Sequence, residues 1–308
     1  MPRTQSTILA SIALFAAVTL WGSSFVATKI GLQYFEPLSI VWLRQLVATI
    51  AILPFWLPAW LRHRHASIRR GDISLLLLLA FFQPCLYFVC ESYALQLTTA
   101  SQAGIVSAMM PLMVAVVAGS LLGEQVTRNM WAGFAVSVCG VVWLTLASAP
   151  EESAPSPMLG NLLELAAMAC GVGYTIICRK LGARFSPVII TGVQILAGLI
   201  FFLPGAFMLP ADFLSIVHAS LTDTSDAALP LLSISYLGLF VTLGAFGLYN
   251  YGVSIIPASR ASAWINLVPV VSAILAFLVL GERLSVTQAG GAALVLGGLY
   301  LCQKSAPK

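Results

Sequence analysis

The sequence predicts an all-α polytopic membrane protein with ten transmembrane helices in two inverted five-helix repeats. Three observations lead there. Of 308 residues, 59% are hydrophobic and only 8% charged, with a mean hydropathy of +0.96; a soluble domain carries about a quarter charged residues. The apolar residues form near-continuous runs long enough to cross about 30 Å of hydrocarbon. The chain also writes one helix twice: Ser101, Ala103, Pro111, Gly123 and Glu124 recur 158 residues later as Ser259, Ala261, Pro269, Gly281 and Glu282.

The ten runs lie at roughly 8–29, 38–58, 73–95, 103–122, 131–149, 159–179, 188–209, 229–251, 261–280 and 288–303. The first is too long for a signal peptide and lacks a clear small-residue cleavage site, so it counts as a span. A short connection, "GLQYFEP", leads to the second, which contains Arg44. The basic loop "LRHRHASIRR" precedes the third, which contains Glu91. The fourth contains Pro111 and ends at Gly123-Glu124, and the fifth carries Gly133 and Gly140, seven residues apart on one helical face. "APEESAPSP", rich in proline, serine and charge, then reads as a linker. The sixth run contains Glu164, and the seventh and eighth are separated by the acidic "PADFLSIVHASLTDTSDAA". The ninth contains Pro269 and ends at "GERLSVT", and the tenth repeats the glycine pair as Gly291 and Gly298. The expected organisation is residues 1–149 as the first repeat, 150–158 as an external linker and 159–308 as the second repeat.

Basic residues in short loops set orientation. With the N-terminus inside, twelve fall on the cytoplasmic face: Arg3, Arg62, Arg64, Arg69, Arg70, Arg128, Arg179, Lys180, Arg184, Arg260, Lys304 and Lys308. Only Lys29 and Arg283 fall opposite. Both termini are therefore expected in the cytoplasm, in a plasma (cell inner) membrane. Upstream of the 158-residue spacing a spacing of 150 pairs Phe35 with Phe185, Pro37 with Pro187 and Leu53-Pro54 with Leu203-Pro204. Five spans per repeat is odd, so the second repeat must cross in the opposite sense, and the basic and acidic loops agree. Inverted repeats of this kind build secondary transporters.

The residues also carry a resemblance. "LWGSSFVATKIGLQYFEPLSIVWLRQL" resembles the opening of an EamA domain, with its Trp-Gly-x-x-Phe segment, loop proline and arginine, and "SQAGIVSAMMPLMVAVVAGSLLGEQVTRNMWAG" resembles its close. The resemblance is to the EamA-domain family of the drug/metabolite transporter superfamily and spans all ten runs. It implies export of small metabolites, often amino acids, from the cytoplasm. The second repeat departs from the pattern: Gly171 stands where Trp21 would recur, and Gln194 where Arg44 would.

An ionisable group within a span is a functional candidate because an unpaired charge there is costly. Arg44, Glu91 and Glu164 qualify, all in the outer third of their runs. Arg44 is expected to bind a substrate carboxylate or to gate, with Glu91 as its partner or a proton carrier. Trp21, Tyr87, Tyr249, Trp264 and Asn266 offer aromatic faces with polar tips, suited to an amphipathic substrate. Pro111 and Pro269 are the candidate hinges. Glu124 and Glu282, at helix ends, are expected to cap their own turns.

No cofactor or metal site is expected. The six cysteines form no CxxC pair, and His63 and His65 are a weak signal in a basic loop better suited to anionic lipid than to nucleic acid. No phosphate loop occurs, so energy must come from a gradient or from exchange. H+ is the candidate coupling ion, the partners are a small-molecule substrate and the lipid bilayer, and the chain is expected as a monomer or homodimer. A proton-coupled multidrug exporter is the alternative. An intramembrane enzyme is remote, because neither an Asp pair within the apolar runs nor a G-x-S-x-G elbow is present.

Overall fold

A computed structural model describes residues 3–64, 70–122, 127–222 and 228–304. The expectations placed on His65, Arg69, Gly123, Glu124 and Lys308 fall outside those residues. The chain runs through α1 (Arg3–Gly31), α2 (Pro37–Arg64), α3 (Arg70–Ala80) and α4 (Tyr87–Leu97), the last two joined by a π-helical turn at Phe81–Leu86. After these come α5 (Ala100–Ser107), α6 (Met109–Leu122) and α7 (Arg128–Leu146), then α8 (Pro157–Leu181), α9 (Pro187–Phe201) and α10 (Phe213–Thr222). A π-helical stretch, Leu237–Ala245, joins α11 (Leu229–Tyr236) to α12 (Phe246–Ile255). A 3₁₀ stretch, Ala263–Leu267, joins α13 (Ala258–Ser262) to α14 (Val268–Leu275), and α15 (Val286–Lys304) closes the chain.

Each of the ten apolar runs coincides with one of these helical stretches. Among the described residues, seven stretches are long and apolar enough to cross a membrane: 6–31, 37–62, 71–97, 100–117, 157–181, 229–255 and 258–280. The helices at 131–146, 187–201, 213–222 and 286–301 are apolar but shorter. α9 stops early because Pro204 cannot continue the hydrogen-bond ladder, and a 3₁₀ stretch, Leu203–Met208, follows it. α10 is an addition, formed where a loop was expected; Leu214 and Leu221, seven residues apart, are both exposed along one side. Large apolar side chains such as Phe55, Leu77, Ile200 and Phe207 also face outward. Such a surface suits lipid.

Close backbone approach holds helix pairs together, since lipid removes most of the hydrophobic drive between helices. α7 and α15 show it best. A Cβ on Gly140 would lie 2.6 Å from the Val295 nitrogen, and one on Gly291 would lie 2.7 Å from that of Leu144. Ser137 adds a hydrogen bond to the Val295 carbonyl at 3.0 Å. α8 lies along α4 in the same way: Gly160 abuts Thr98 and the Ala94 carbonyl, and Gly171 abuts Met110 and Tyr87. Residues 147–156, which connect α7 to α8, mark one end of the bundle, called here the linker end.

Candidate functional site

The centre of the bundle holds a small cavity. α1 offers Trp21, Ser24 and Phe25 to it, a spacing that places all three on one helical face. Tyr87, Phe88 and Glu91 come from α4, Arg44 from α2, and Met168, Gly171 and Tyr174 from α8. Phe246, Ile265 and Val268 complete the wall from the later part of the chain. The enclosed space is about 30 Å³. That holds one or two water molecules. The cavity is contracted in this conformation.

Arg44 and Glu91 both line this space, yet no ion pair joins them. The Arg44 Nε donates to Thr242 Oγ1 at 2.7 Å, and its guanidinium carbon lies 4.4 Å from the centre of the Phe88 ring. A cation over an aromatic face is stabilised without losing its donors. The two terminal amino groups of Arg44 therefore have no hydrogen-bond partner among the described residues. Glu91 accepts one hydrogen bond, from the Tyr87 hydroxyl at 2.9 Å. The two side chains thus present opposite charges to one enclosed space.

Trp21, Arg44, Tyr87 and Glu91, anticipated from the sequence, come together here. Tyr249 does not line the cavity; it is fully buried behind Trp21, with ring centres 4.7 Å apart. Trp264 meets Phe15 edge-on at 6.3 Å, and Asn266 is half-buried with both amide atoms unpartnered; neither lines the cavity. Pro111 removes the usual donor to the Ser107 carbonyl, and the helix is interrupted at Ala108, between α5 and α6. Pro269 is the second residue of α14, one residue past the 3₁₀ stretch. Ser107 and Met110 beside one proline, and Ile265 and Val268 beside the other, belong to the cavity wall.

Among the cavity residues that the sequence did not single out, Gln83 is the unpartnered polar one. Gln83 leaves the helical conformation at φ −140°, ψ 113°, lines the cavity, and has its amide nitrogen unpartnered. An uncharged polar residue immediately before a proline inside an apolar run was the signal available.

At the linker end a wider vestibule of about 820 Å³ opens, lined among others by Lys29, Gln102, Glu151, Glu282 and Gln288. Glu282 was expected to cap its own turn. Instead its carboxylate accepts from the Ala100 and Ser101 amides at 3.0 and 2.9 Å and from the Ser101 hydroxyl at 2.8 Å. The positive end of α5 attracts it across the vestibule. Gly281, at φ +68°, turns the chain so that Glu282 can reach there. At the opposite end Arg184 pairs with Asp72, and Arg179 donates to the carbonyls of Val253 and Ser254 at 2.8 and 2.9 Å.

The sequence profile of the EamA-like transporter family matches residues 8–146 and again 158–302. The chain belongs to the EamA-like transporter family. It is 28% identical to the uncharacterized transporter YetK of Bacillus subtilis, over 95% of this chain and 86% of that protein. It is 26% identical to a probable amino-acid metabolite efflux pump of Escherichia coli, over 92% of this chain and 91% of the relative. A probable terminal-alkyne amino-acid exporter of Streptantibioticus cattleyicolor is 27% identical over 95% and 92% of the two chains. One solved crystal structure, of a protein 19% identical, matches 98% of each chain with a TM-score of 0.64, a likeness of fold alone. This EamA protein is accordingly a multi-pass membrane transporter and not an enzyme.

Proposed function

We propose that this protein exports amphipathic amino acids or their derivatives by secondary transport. The observation that carries the reading is the unpaired opposition of Arg44 and Glu91 across one aromatic-lined cavity. A zwitterion matches it: the substrate carboxylate takes the free guanidinium donors of Arg44 and the ammonium takes Glu91. Trp21, Phe25 and Phe246 then surround an apolar side chain. The two relatives named for amino-acid export or efflux fit this substrate class.

The contracted cavity is too small for an amino acid, so its walls must part. Residues 1–149 and 159–308 act as inverted repeats in this reading, rocking about a central site. The interruptions beside Pro111 and Pro269 supply the moving wall. In this reading ten crossings put both termini on one side, and the bias of basic residues toward that side makes it the cytoplasm, so a single cysteine replacing Ser153 in the linker should react with an impermeant reagent from outside only. Reaction from the cytoplasmic side would reverse the orientation and, with it, the direction of transport.

Counterflow in proteoliposomes tests the substrate. Labelled leucine should exchange without ATP, and leucine methyl ester, which lacks the carboxylate, should not compete. Transport of quaternary ammonium dyes with no movement of leucine would favour the multidrug alternative instead.

A further inference from the structure

Glu164 is the buried charge that the substrate site leaves unused. It sits on α8, is fully buried, and neither carboxylate oxygen has a hydrogen-bond partner. Contacts on either side fix its neighbour. Gly160 meets Ala94 of α4 and Thr98 just past its end, and Gly171 meets Tyr87, so the turn between them lies opposite Glu91. Glu91 is also the charged group that acts most directly on Glu164. Tyr87 and Cys90, on the same face of α4, feel Glu164 as well. α5 and α6 carry no ionisable residue. The other elements packed against α8 carry Arg70 and Asp72 on α3, Cys85 on the π-helical turn, Arg128 and Cys139 on α7, Tyr249 and Tyr251 on α12 and Arg260 on α13, and Arg44 faces Glu91 across the cavity.

Two carboxylates held together without a counter-ion between them cannot both stay charged in a low-dielectric interior; such a pair shares a proton. The occupant is a proton rather than a metal ion. A hard cation needs about six oxygen ligands, and among the described residues no group of three or more acidic, histidine or cysteine side chains gathers to hold one.

A path leads to it. Asn161, one helical turn before Glu164, donates to Gln102 Oε1 at 3.0 Å and to Thr145 Oγ1 at 3.1 Å. Ser148 donates to the same Gln102 oxygen at 2.9 Å and accepts from Gln288 at 3.1 Å. Gln102 and Gln288 line the vestibule. A buried polar chain therefore runs from the linker-end vestibule to within one turn of Glu164. Glu91, on its other side, opens to the central cavity.

We propose that Glu91 and Glu164 form one proton-binding pair, and that a substrate ammonium arriving at Glu91 expels the proton held at Glu164. This rests on the amino-acid reading of the cavity. The ammonium stabilises the fully ionised pair, the proton leaves past Glu91 to water in the central cavity that Glu91 lines, and by linkage a returning proton weakens the hold on the substrate. Substrate and proton compete for one negative field without sharing one atom. Transport is then an exchange of substrate for H+.

Infrared difference spectra of the full-length protein in liposomes, taken across a pH titration without substrate, test the pair directly. Wild type should show the carbonyl band of a titrating protonated carboxyl group, E164Q should lack it, and E164D should shift it. A band unchanged in E164Q, or unmoved in E164D should E164Q not fold, overturns the pair. With labelled leucine as the probe, accumulation driven by a pH gradient should fall by at least about tenfold in E164Q, while leucine–leucine exchange stays within about twofold of wild type. Gradient-driven accumulation that survives in E164Q overturns the coupling. Absence of any leucine movement in wild type would count against the substrate reading alone, because the spectra judge the proton pair without substrate.

Discussion

Two polar clusters lie inside this bundle, and they differ in how completely they are satisfied. One holds Gln194 and Asn250. The Asn250 amide nitrogen donates to Thr191 Oγ1 and Gln194 Oε1 at 2.8 and 2.9 Å, and its oxygen accepts from Tyr174 and Cys178 at 2.7 and 3.0 Å. Gln194 spends its nitrogen on the Gln83 carbonyl at 3.3 Å. Every amide atom of these two residues is used. The other cluster holds Arg44, Glu91 and Glu164, and it keeps donors and acceptors in reserve. The two are related by sequence spacing, since Gln194 stands 150 residues after Arg44. Buried polar groups left unpaired are expensive. A chain that satisfies one cluster and not its counterpart is holding the second for something outside itself.

Arg44→Gln should give the largest effect, because it places the satisfied cluster's own residue in the unsatisfied one. Loss of a buried charge that grips a carboxylate costs about 2–5 kcal/mol, so leucine exchange should fall by roughly a hundredfold. The melting temperature in detergent should move by no more than about 2 °C. Normal exchange in the folded variant would break the comparison. Asn250→Ala should do the reverse. Four hydrogen bonds at roughly 0.6 kcal/mol each within a membrane protein put the stability loss near 2 kcal/mol. The melting temperature should drop clearly, while the leucine KM changes by less than about threefold. A large KM change without a stability loss would mean that the satisfied cluster also handles substrate.

What was legible from the sequence follows the same division. Arg44 and Glu91 stood out because a charge in an apolar run is conspicuous, and the structure places both on one cavity. Gln83, Asn161 and Gln102 were passed over because a neutral polar residue costs too little to be conspicuous; only the fold puts Gln83 on the cavity wall and brings Asn161 to Gln102. Trp264 and Asn266 were expected with the others, but residue type does not say which face of a helix points inward. The usual cue, one apolar stripe, disappears when the whole helix is apolar. Glu282 misled for another reason: its partners, Ala100 and Ser101, are remote in sequence, and a local turn was the nearest explanation. Helix existence came from local pattern. Helix partnership did not.

Thr242→Val sharpens the comparison at its smallest scale. Thr242 provides the single hydrogen bond that holds the Arg44 side chain, at Nε, and thereby keeps the terminal amino groups turned to the cavity. Valine has nearly the same shape, so packing around the π-helical stretch should survive, and Arg44 remains over Phe88. The loss is then one charge-assisted hydrogen bond, about 1–2 kcal/mol at most, and part of it returns when the free Nε–H finds water in the cavity. The leucine KM should therefore rise about three- to tenfold with the maximal exchange rate nearly unchanged. Serine at the same position keeps the hydroxyl and should restore most of the affinity. A maximal rate that falls while KM holds would place Thr242 in the movement of the wall instead, since the π-helical stretch would then be acting as a hinge and not as an anchor for Arg44.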